Sequence, residues 1–281
     1  NRAGVQDPEG IDWLREARES YAWALRQPGA DRFRDWRAYA AAALYRLTRE
    51  DSYEAQLDRD TADLTPGVEL SWDRSFGLWA YLLGAKGRPN LHARLRAVVL
   101  ESAENQVVRT SARRALRWGG NFHMPMLIGH LTTPWVLSGA VAYTLTKDSD
   151  PGRARAFRAG VLTTCDYFLG TNPLNQTWVT GLGPRHPREV FHMDAWYNGR
   201  STPHPGIVPY GPWRKVRDLG QGPWDNDWVN GTVYPQIDLW PGGERWFDNR
   251  NSPLSGEFTI HQNTCWTAAT YGWLCAPAGE R

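Results

Sequence analysis

Residues 166–183 read Asp-Tyr-Phe-Leu-Gly-Thr-Asn-Pro-Leu-Asn-Gln-Thr-Trp-Val-Thr-Gly-Leu-Gly, and they mark the point where the character of the chain changes. An amphipathic helical pattern ends here at Gly170, because glycine is favoured just past a helix C-terminus. Asn172 and Pro173 follow as turn formers. After this stretch the helical spacing of apolar residues does not return until Ile260. We therefore expect the chemistry of the protein to lie in the segment that this stretch opens.

The chain before this stretch is patterned as a series of helices. Apolar residues recur with a 3.6-residue period after Asp7-Pro8, after Asp31, in 76–83, in 90–108 and in 150–170, and further helices are expected near 124–145 and 260–274. Helix pairs joined by short loops predict an all-α toroid of antiparallel hairpins. The predicted organisation is one domain, with helical hairpins in 1–170, a loop region in 171–256 and a closing helix in 257–281.

The loop region is rich in aromatic residues, although it has no helical or strand periodicity. The chain contains 16 tryptophans, and many of them lie between residues 178 and 246. Such a composition is the opposite of that of disordered segments. Because the flat face of an indole ring packs well on the apolar face of a sugar ring, the region is expected to form an ordered, aromatic-walled cleft.

Composition and motifs exclude several classes of function. The 281 residues carry a net charge of +2 without a basic patch, so neither nucleic acid nor a membrane surface is an expected partner. Three cysteines are too few for a disulfide framework, and no metal-binding motif accompanies the histidines. The first residues have no signal-peptide pattern, and no nucleophile elbow or phosphate-binding loop is present.

Several ordered segments resemble glycoside hydrolase family 9, the inverting cellulases. They are the run Leu44-Tyr45-Arg46-Leu47-Thr48, the segment Trp118-Gly119-Gly120-Asn121, the stretch 166–183 and Gly256-Glu257-Phe258-Thr259-Ile260. The resemblance implies an (α/α)6 barrel, of which this chain would form only the C-terminal half to two-thirds.

The family's N-terminal Asp-Ala-Gly-Asp motif, which carries the catalytic base, has no match in this sequence. The resemblance therefore implies that an N-terminal fragment or a second chain supplies the base and completes the barrel. A partial barrel is also expected to expose an apolar seam, which monomers rarely do.

The resemblance implies roles for individual residues. Glu257 matches the general acid, and His192 matches a histidine that contacts the sugar at the cleavage point. The arginine expected two residues after this histidine is replaced by Asp194. The other expected substrate-binding residues are Trp118, Asn121, Arg185, Trp196 and Tyr197. For Trp118 a structural role in the core is an equal alternative.

Two other functions stay open from the sequence. The resemblance favours an inverting hydrolase of β-linked glucans, either cellulose or mixed-linkage β-glucan. The alternatives are a non-catalytic carbohydrate-binding protein and a family 9 exo-glucosaminidase, in which Asp194 would recognise an amine. No cofactor is expected, although a structural calcium ion near Asp225-Asn226-Asp227 is possible in chemical terms. The expected substrate is a polysaccharide or oligosaccharide, and the expected location is extracellular.

Overall fold

The structure is a computed structural model that describes residues 7–84, 86–120, 132–200, 202–212, 233–241 and 243–277. Its regular elements are all helical, and these ranges contain no strand. None of the described helices combines the length and apolar character needed to cross a bilayer. The chain divides into two compact units, Asn1–Ser102 and Ala103–Arg281. The fold is therefore all-α, as the sequence predicts.

The described part of the first unit contains five α-helices. They are α1 (Trp13–Leu25), α2 (Arg34–Thr48), α3 (Asp51–Asp60), α4 (Trp72–Gly84) and α5 (Pro89–Ala103), and a short 3-10 helix at Ala30–Phe33 precedes α2. The last residue of α5 is already the first of the second unit. Four of these helices, α1, α2, α4 and α5, lie in the predicted segments, with differences of a few residues at their ends.

The start of α1 differs from the prediction at Asp7-Pro8. The N-cap is Asp12, whose carboxylate accepts hydrogen bonds from the backbone nitrogens of Leu14 and Arg15, each at 3.1 Å. Asp7 instead closes a local turn, in which its Oδ1 accepts the Glu9 N–H at 2.9 Å. An Asp-Pro pair is equally suited to starting a turn, and here the second aspartate provides the better cap.

A row of small residues on α2 allows α4 to approach it closely. Ala38, Ala41 and Ala42 are at most 4% exposed. Opposite them on α4, a Cβ atom at Gly77 would lie only 3.0 Å from the backbone nitrogen of Tyr39. The two helices therefore touch backbone to backbone, and α3 also packs against α2.

The Glu54 carboxylate on α3 is the centre of a buried polar network in this unit. The residue is 2% exposed, and its carboxylate accepts hydrogen bonds from the Tyr81 hydroxyl at 2.5 Å and the Arg88 backbone nitrogen at 2.7 Å. Burial, together with this hydrogen bond, raises the pKa of Tyr81. The network connects α3, α4 and the turn that precedes α5.

The second unit contains longer connections between its helices. Its elements within the described ranges are a π-helical turn (Glu104–Arg109), α6 (Thr110–Arg113), α7 (Leu137–Thr146), α8 (Pro151–Phe168), α9 (Met193–Tyr197), a 3-10 turn (Ile237–Leu239), α10 (Pro253–Gly256), a π-helical segment (Gln262–Ala268) and α11 (Ala269–Cys275). The helix expected near 124–145 thus begins only at Leu137 in its described part, and residues 121–131 lie outside the described ranges.

The core of the second unit forms where α7 and α8 pack against each other. Val107, Val136, Val161 and Cys165 make one buried cluster. The C-terminal aromatic residues Tyr271 and Trp273 and the neighbouring Leu274 pack onto it. Burial in this cluster raises the pKa of the Cys165 thiol to about 12. All three cysteines are free.

Candidate active site

The stretch after α8 builds an aromatic floor for the loop region. Trp178 is 1% exposed, and its backbone nitrogen donates to the Phe168 carbonyl at 3.1 Å. Its indole ring meets the Trp246 ring edge-on at a centroid distance of 5.0 Å. The Asn172 side chain fixes the turn between Tyr167 and Gln176, because its Nδ2 donates to the carbonyls of these two residues at 2.7 Å and 2.8 Å. The floor is therefore rigidly connected to the end of α8.

Both faces of the Trp118 ring are covered in this structure. Tyr167 stacks on it with centroids 4.9 Å apart, and the Arg114 guanidinium carbon lies 3.4 Å from the ring centroid. Two groups this close cannot share one face, so they lie on opposite sides of the indole. The arrangement favours the structural role over sugar stacking. Asn121, the polar neighbour expected from the sequence, lies outside the described residues.

The candidate acid Glu257 lies between two loop segments. On one side, the Phe191 backbone nitrogen donates to the Gly256 carbonyl at 2.8 Å. On the other, the Tyr210 nitrogen donates to the Glu257 carbonyl at 2.6 Å. Burial raises the pKa of the Tyr210 phenol to about 12, with a smaller contribution from the Glu257 charge. The Glu257 side chain is half-buried, so it combines a fixed backbone with access to a ligand.

The residue before the acid leaves no space for a larger side chain. A Cβ atom at Gly256 would lie 3.1 Å from the Asn249 carbonyl oxygen, 3.2 Å from the Glu189 carbonyl oxygen and 3.3 Å from the Phe191 nitrogen. All three are backbone atoms that cannot rotate away. Glycine at this position therefore lets three loop segments converge beside Glu257.

His192 lies next to the Glu257 segment. Its ring is nearly parallel to that of Phe258, with an interplanar angle of 7° and a centroid distance of 5.9 Å. Its Nδ1 caps α9 by accepting the Ala195 N–H at 3.1 Å. The predicted sugar-contacting histidine therefore packs against the residue that follows the predicted acid, although His192 and Glu257 are far apart in the sequence.

The other predicted contact residues are placed less closely together. Trp196 is half-buried between the Phe191 ring, at 5.1 Å, and the Arg250 guanidinium, at 5.8 Å. Tyr197, on the same short helix, is 82% exposed. The Arg185 side chain is exposed, while its carbonyl accepts the Thr177 N–H at 3.0 Å. Trp196 thus supports the His192 segment, and Tyr197 and Arg185 are free to meet a ligand from solvent.

Asp248 holds the loop before His192, and the sequence analysis did not single it out. Its carboxylate accepts the backbone N–H groups of Arg188 at 2.7 Å and Glu189 at 2.9 Å. Burial raises the pKa of Asp248, and the two backbone hydrogen bonds oppose this effect. The side chain anchors the segment that leads to His192. An aspartate directly after the Trp246-Phe247 pair is the signal that could have identified it.

The first residues of the π-helical segment hold the backbone of Val208 and Pro209 by hydrogen bonds. Asn263 pairs with both backbone groups of Val208, accepting its N–H at 2.7 Å and donating to its carbonyl at 3.1 Å. Gln262, which is 0% exposed, donates to the Pro209 carbonyl at 3.3 Å. Because Tyr210 binds the Glu257 carbonyl, this clamp holds the candidate acid in position.

His192, Asp194 and His204 form a cluster that sequence spacing did not reveal. One potential metal-ligand atom from each lies within 4.8 Å of the others, and His204 Nε2 is 3.7 Å from Asp194 Oδ2. However, Nδ1 of His192 accepts the Ala195 N–H, and Nδ1 of His204 faces the Arg200 guanidinium at 3.3 Å. Each Nε2 then carries the proton in the neutral ring, so this arrangement disfavours a metal ion. The calcium candidate Asp225-Asn226-Asp227 lies outside the described residues.

Comparison with known proteins gives one consistent result. The family model described as "Glycosyl hydrolase family 9" matches residues 11–270. Endoglucanase 10 of Arabidopsis thaliana is 22% identical over an alignment of 262 residues, and the match covers 80% of this chain and 45% of that protein.

Two solved structures show the same fold. A thermostable endoglucanase from Alicyclobacillus acidocaldarius, solved as a single mutant, has a TM-score of 0.69 at 20% identity, and the match covers 92% of this chain and 49% of that one. Endoglucanase CelQ from Clostridium thermocellum, complexed with cellotriose, has a TM-score of 0.55 at 19% identity, covering 86% and 38%. This chain thus spans less than half the length of the relatives described here.

Proposed function

Because the chain belongs to glycosyl hydrolase family 9, we propose that it is the acid-carrying part of an inverting hydrolase of β-linked glucans. Glu257 is the general acid, and His192 contacts the sugar at the cleavage point. The observation that carries the proposal is their juxtaposition, since Phe258 stacks against His192 beside a carboxyl group whose backbone is fixed from two sides.

Inverting hydrolysis requires two carboxyl groups on opposite sides of the scissile bond. One protonates the leaving oxygen, while the other activates a water molecule that attacks from the opposite face of the sugar ring. Glu257 serves the first role. The second belongs to an aspartate in the part of the family 9 domain that this chain does not span. Water and these two groups suffice for the chemistry, so the proposed reaction uses no organic cofactor.

The substrate class follows from the loop region and from a relative. Exposed Tyr197 and Arg185 lie in the same loop region as His192, and aromatic and polar groups of this kind bind sugar rings and hydroxyls. CelQ, whose structure was solved with cellotriose, supports a cellulose-type glucan. We also propose an extracellular location, because a polymeric glucan is degraded outside the cell; cell fractionation would test it.

One observation favours a second candidate, an exo-glucosaminidase. The Asp194 side chain is 65% exposed and lies beside His204, which in turn contacts the His192 ring. A carboxylate so close to the predicted sugar-contacting histidine would attract an amino sugar. Parallel assays with cellopentaose and with deacetylated chitopentaose separate the two candidates. A β-glucan hydrolase should cleave the first substrate, and an exo-glucosaminidase should cleave the second.

The decisive experiment replaces Glu257 in the assembled enzyme, with the rest of the domain present. Glu257→Gln is expected to lower turnover of cellopentaose at least about 100-fold, the usual contribution of a positioned acid, while oligosaccharide affinity changes little. Turnover of 2,4-dinitrophenyl cellobioside should fall far less, because this leaving group needs no proton. Glu19→Gln, on the exposed face of α1, is the matched control.

Two outcomes would overturn the proposal. Unchanged cellopentaose turnover by the Glu257→Gln enzyme would remove the general-acid assignment. Hydrolysis by the isolated chain would show that the base does not come from the remainder of the domain. If the assembled material binds oligosaccharide but never cleaves it, the chain is a carbohydrate-binding protein instead.

A further inference from the structure

The Nδ1 atom of His192 is the N-cap acceptor of helix α9. It accepts the Ala195 N–H at 3.1 Å, where the side-chain oxygen of a serine or an asparagine usually caps a helix. A neutral imidazole has one nitrogen that donates a hydrogen bond and one that accepts. Because Nδ1 accepts here, the neutral ring carries its proton on Nε2. The backbone of α9 thus selects the Nε2–H tautomer of His192.

The Nε2–H group of His192 has no hydrogen-bond acceptor among the residues that the structure describes. The contacts of the side chain within these residues are the cap of α9 and two ring contacts, with Phe258 and His204. His192 is half-buried, so a ligand can reach the ring. Polar groups in such positions usually bind water or a ligand. The structure therefore leaves one fixed hydrogen-bond donor available beside the candidate acid.

The plane of the His192 ring is set by Phe258, the residue directly after Glu257. The two rings are offset-stacked, with an interplanar angle of 7° and a centroid distance of 5.9 Å. The His204 ring meets His192 nearly edge-on, at 72° and 5.0 Å. Rotation of a histidine ring about its Cβ–Cγ bond is otherwise broad. One parallel and one crossed neighbour restrict this rotation, so Nε2 is held in one direction.

Phe258 is itself fixed through the backbone on both of its sides. Before it, the Glu257 carbonyl accepts the Tyr210 N–H at 2.6 Å. After it, the Thr259 carbonyl accepts Nδ2 of Asn263 at 2.9 Å. One short segment of fixed backbone therefore carries both the candidate acid and the ring that orients His192.

We propose that Phe258 is a positioning residue, which together with the Ala195 N–H holds His192 as a hydrogen-bond donor through Nε2. This inference rests on the proposed function for the identity of the acceptor, an oxygen of the bound β-glucan. It adds that the acid and the donor are held in register, because Phe258 follows Glu257 directly and stacks on His192. Small displacements of positioned groups lower the rate strongly, so the ring contact matters for turnover.

A fixed N–H donor also restricts which group of the sugar it meets. A hydroxyl oxygen has lone pairs that accept the Nε2–H, whereas the ammonium of an amino sugar has donors only. An ammonium would instead bind Asp194, whose Oδ1 already accepts Nδ2 of Asn198 at 2.8 Å. The group that faces His192 is therefore a sugar hydroxyl, for a β-glucan and for an amino sugar alike.

The first test determines the tautomer by nuclear magnetic resonance. The sample is the assembled enzyme with 15N-labelled histidine in this chain, at a pH where the ring is neutral, and His192→Asn assigns the signals. Two-bond 1H–15N correlations should show the Nε2–H tautomer for His192. Phe258→Leu should move the ring-proton signals of His192 towards those of a free histidine, because the ring current of Phe258 is lost. An Nδ1–H tautomer, or unchanged signals in Phe258→Leu, overturns the proposal.

The second test measures the kinetics of cellopentaose hydrolysis by Phe258 variants. Phe258→Leu should lower kcat about tenfold, the effect of losing roughly one hydrogen bond in the transition state, with little change in KM. Phe258→Tyr keeps the stacked ring and should retain turnover. Phe76→Leu is the matched control, because Phe76 is also half-buried and meets the Trp79 ring at 5.6 Å in the first unit. Equal losses in Phe258→Leu and Phe258→Tyr, or no loss in either, overturn the proposal.

A third variant separates the capping role of His192 from its donor role. His192→Asn keeps a side-chain oxygen that caps α9, but it places no N–H at the position of Nε2. The Ala195 amide should stay protected from hydrogen exchange, while kcat/KM falls about tenfold. His192→Gln should recover part of this loss, because its amide nitrogen reaches the position of Nε2. Full activity of His192→Asn overturns the proposal.

The outcomes separate this inference from the proposed function. If Phe258→Leu lowers kcat and shifts the His192 signals while Glu257→Gln retains turnover, the positioning of His192 stands and the general acid is another group. If Glu257→Gln abolishes turnover while Phe258→Leu and His192→Asn react like the wild type, the acid assignment stands and the positioning role fails.

Discussion

Removal of the Asn263 side chain tests how the candidate acid is held in place. Asn263→Ala leaves both backbone groups of Val208 without their partners, and Val208 is 0% exposed. A buried polar group that loses its hydrogen bond costs about 1–3 kcal/mol. Because the space vacated by the amide admits some water, we expect a loss of about 3 kcal/mol in the free energy of unfolding.

The isosteric change Asn263→Asp separates hydrogen bonding from packing. It keeps the acceptor for the Val208 N–H, but it places a carboxylate oxygen where Nδ2 now donates to the carbonyls of Val208 and Thr259. Repulsion between these oxygens should make this variant at least as unstable as Asn263→Ala. If packing alone mattered, Asn263→Asp would resemble the wild type.

The assay combines urea denaturation, followed by tryptophan fluorescence, with amide hydrogen exchange of residues 206–212. Asn251→Ala is the matched control, because Asn251 is exposed and substitutions of this kind usually stay within about 0.5 kcal/mol. The reasoning is refuted if both Asn263 variants unfold at the wild-type urea concentration and the Val208 amide remains protected.

Three further predictions concern the cores and one turn. Since burial raises the pKa of Cys165 from 9.0 to about 12, its contribution to stability is fully present below pH 9 and is lost as the pH rises towards 12, by up to about 1.4 kcal/mol per pH unit. Glu54→Gln removes a buried charge that accepts the Tyr81 hydroxyl, and should cost about 2–4 kcal/mol of unfolding free energy. Gly120→Ala places a Cβ 2.6 Å from the Trp135 carbonyl oxygen at a φ of +71°, and should cost more than about 1 kcal/mol.

Each of these predictions has a control. Cys165→Ala should flatten the alkaline slope, measured as unfolding free energy at pH 8, 9 and 10 in reducing buffer; an identical slope contradicts the first prediction. Glu50→Gln, at a half-exposed ion pair, should leave stability within about 0.5 kcal/mol. Gly10→Ala has a similar φ of +72° without any atom nearby, so equal losses at both glycines would show that strain, not the clash, dominates.

The helical part of the fold was accessible from the sequence because its signals are local. Apolar spacing and the Asp150-Pro151 start predict a helix over 150–170, and α8 covers Pro151–Phe168 with Asp150 as its N-cap. Where two local signals compete, the sequence is less decisive. Asp7 and Asp12 are both capable caps, and only the backbone hydrogen bonds show that Asp12 starts α1.

For the candidate site, too, the sequence identifies individual residues, whereas the contacts between distant segments are visible only in the structure. The resemblance singled out Glu257 and His192 one at a time, by motif. It could not show that Phe258 stacks on His192 or that Asp248 anchors the preceding loop. It also left both roles open for Trp118, whose two faces are covered by Arg114 and Tyr167.

The sequence by itself determined that the chain is helical, that it resembles glycosyl hydrolase family 9 and that a carboxyl group at Glu257 follows a long aromatic loop. Only the tertiary structure decided which loop segments meet at Glu257 and which groups cover the two faces of the Trp118 ring. Helix periodicity is a property of neighbouring residues, whereas hydrogen bonds such as that from Tyr210 to Glu257 join distant segments. Such contacts depend on how the whole loop packs, which no local pattern encodes.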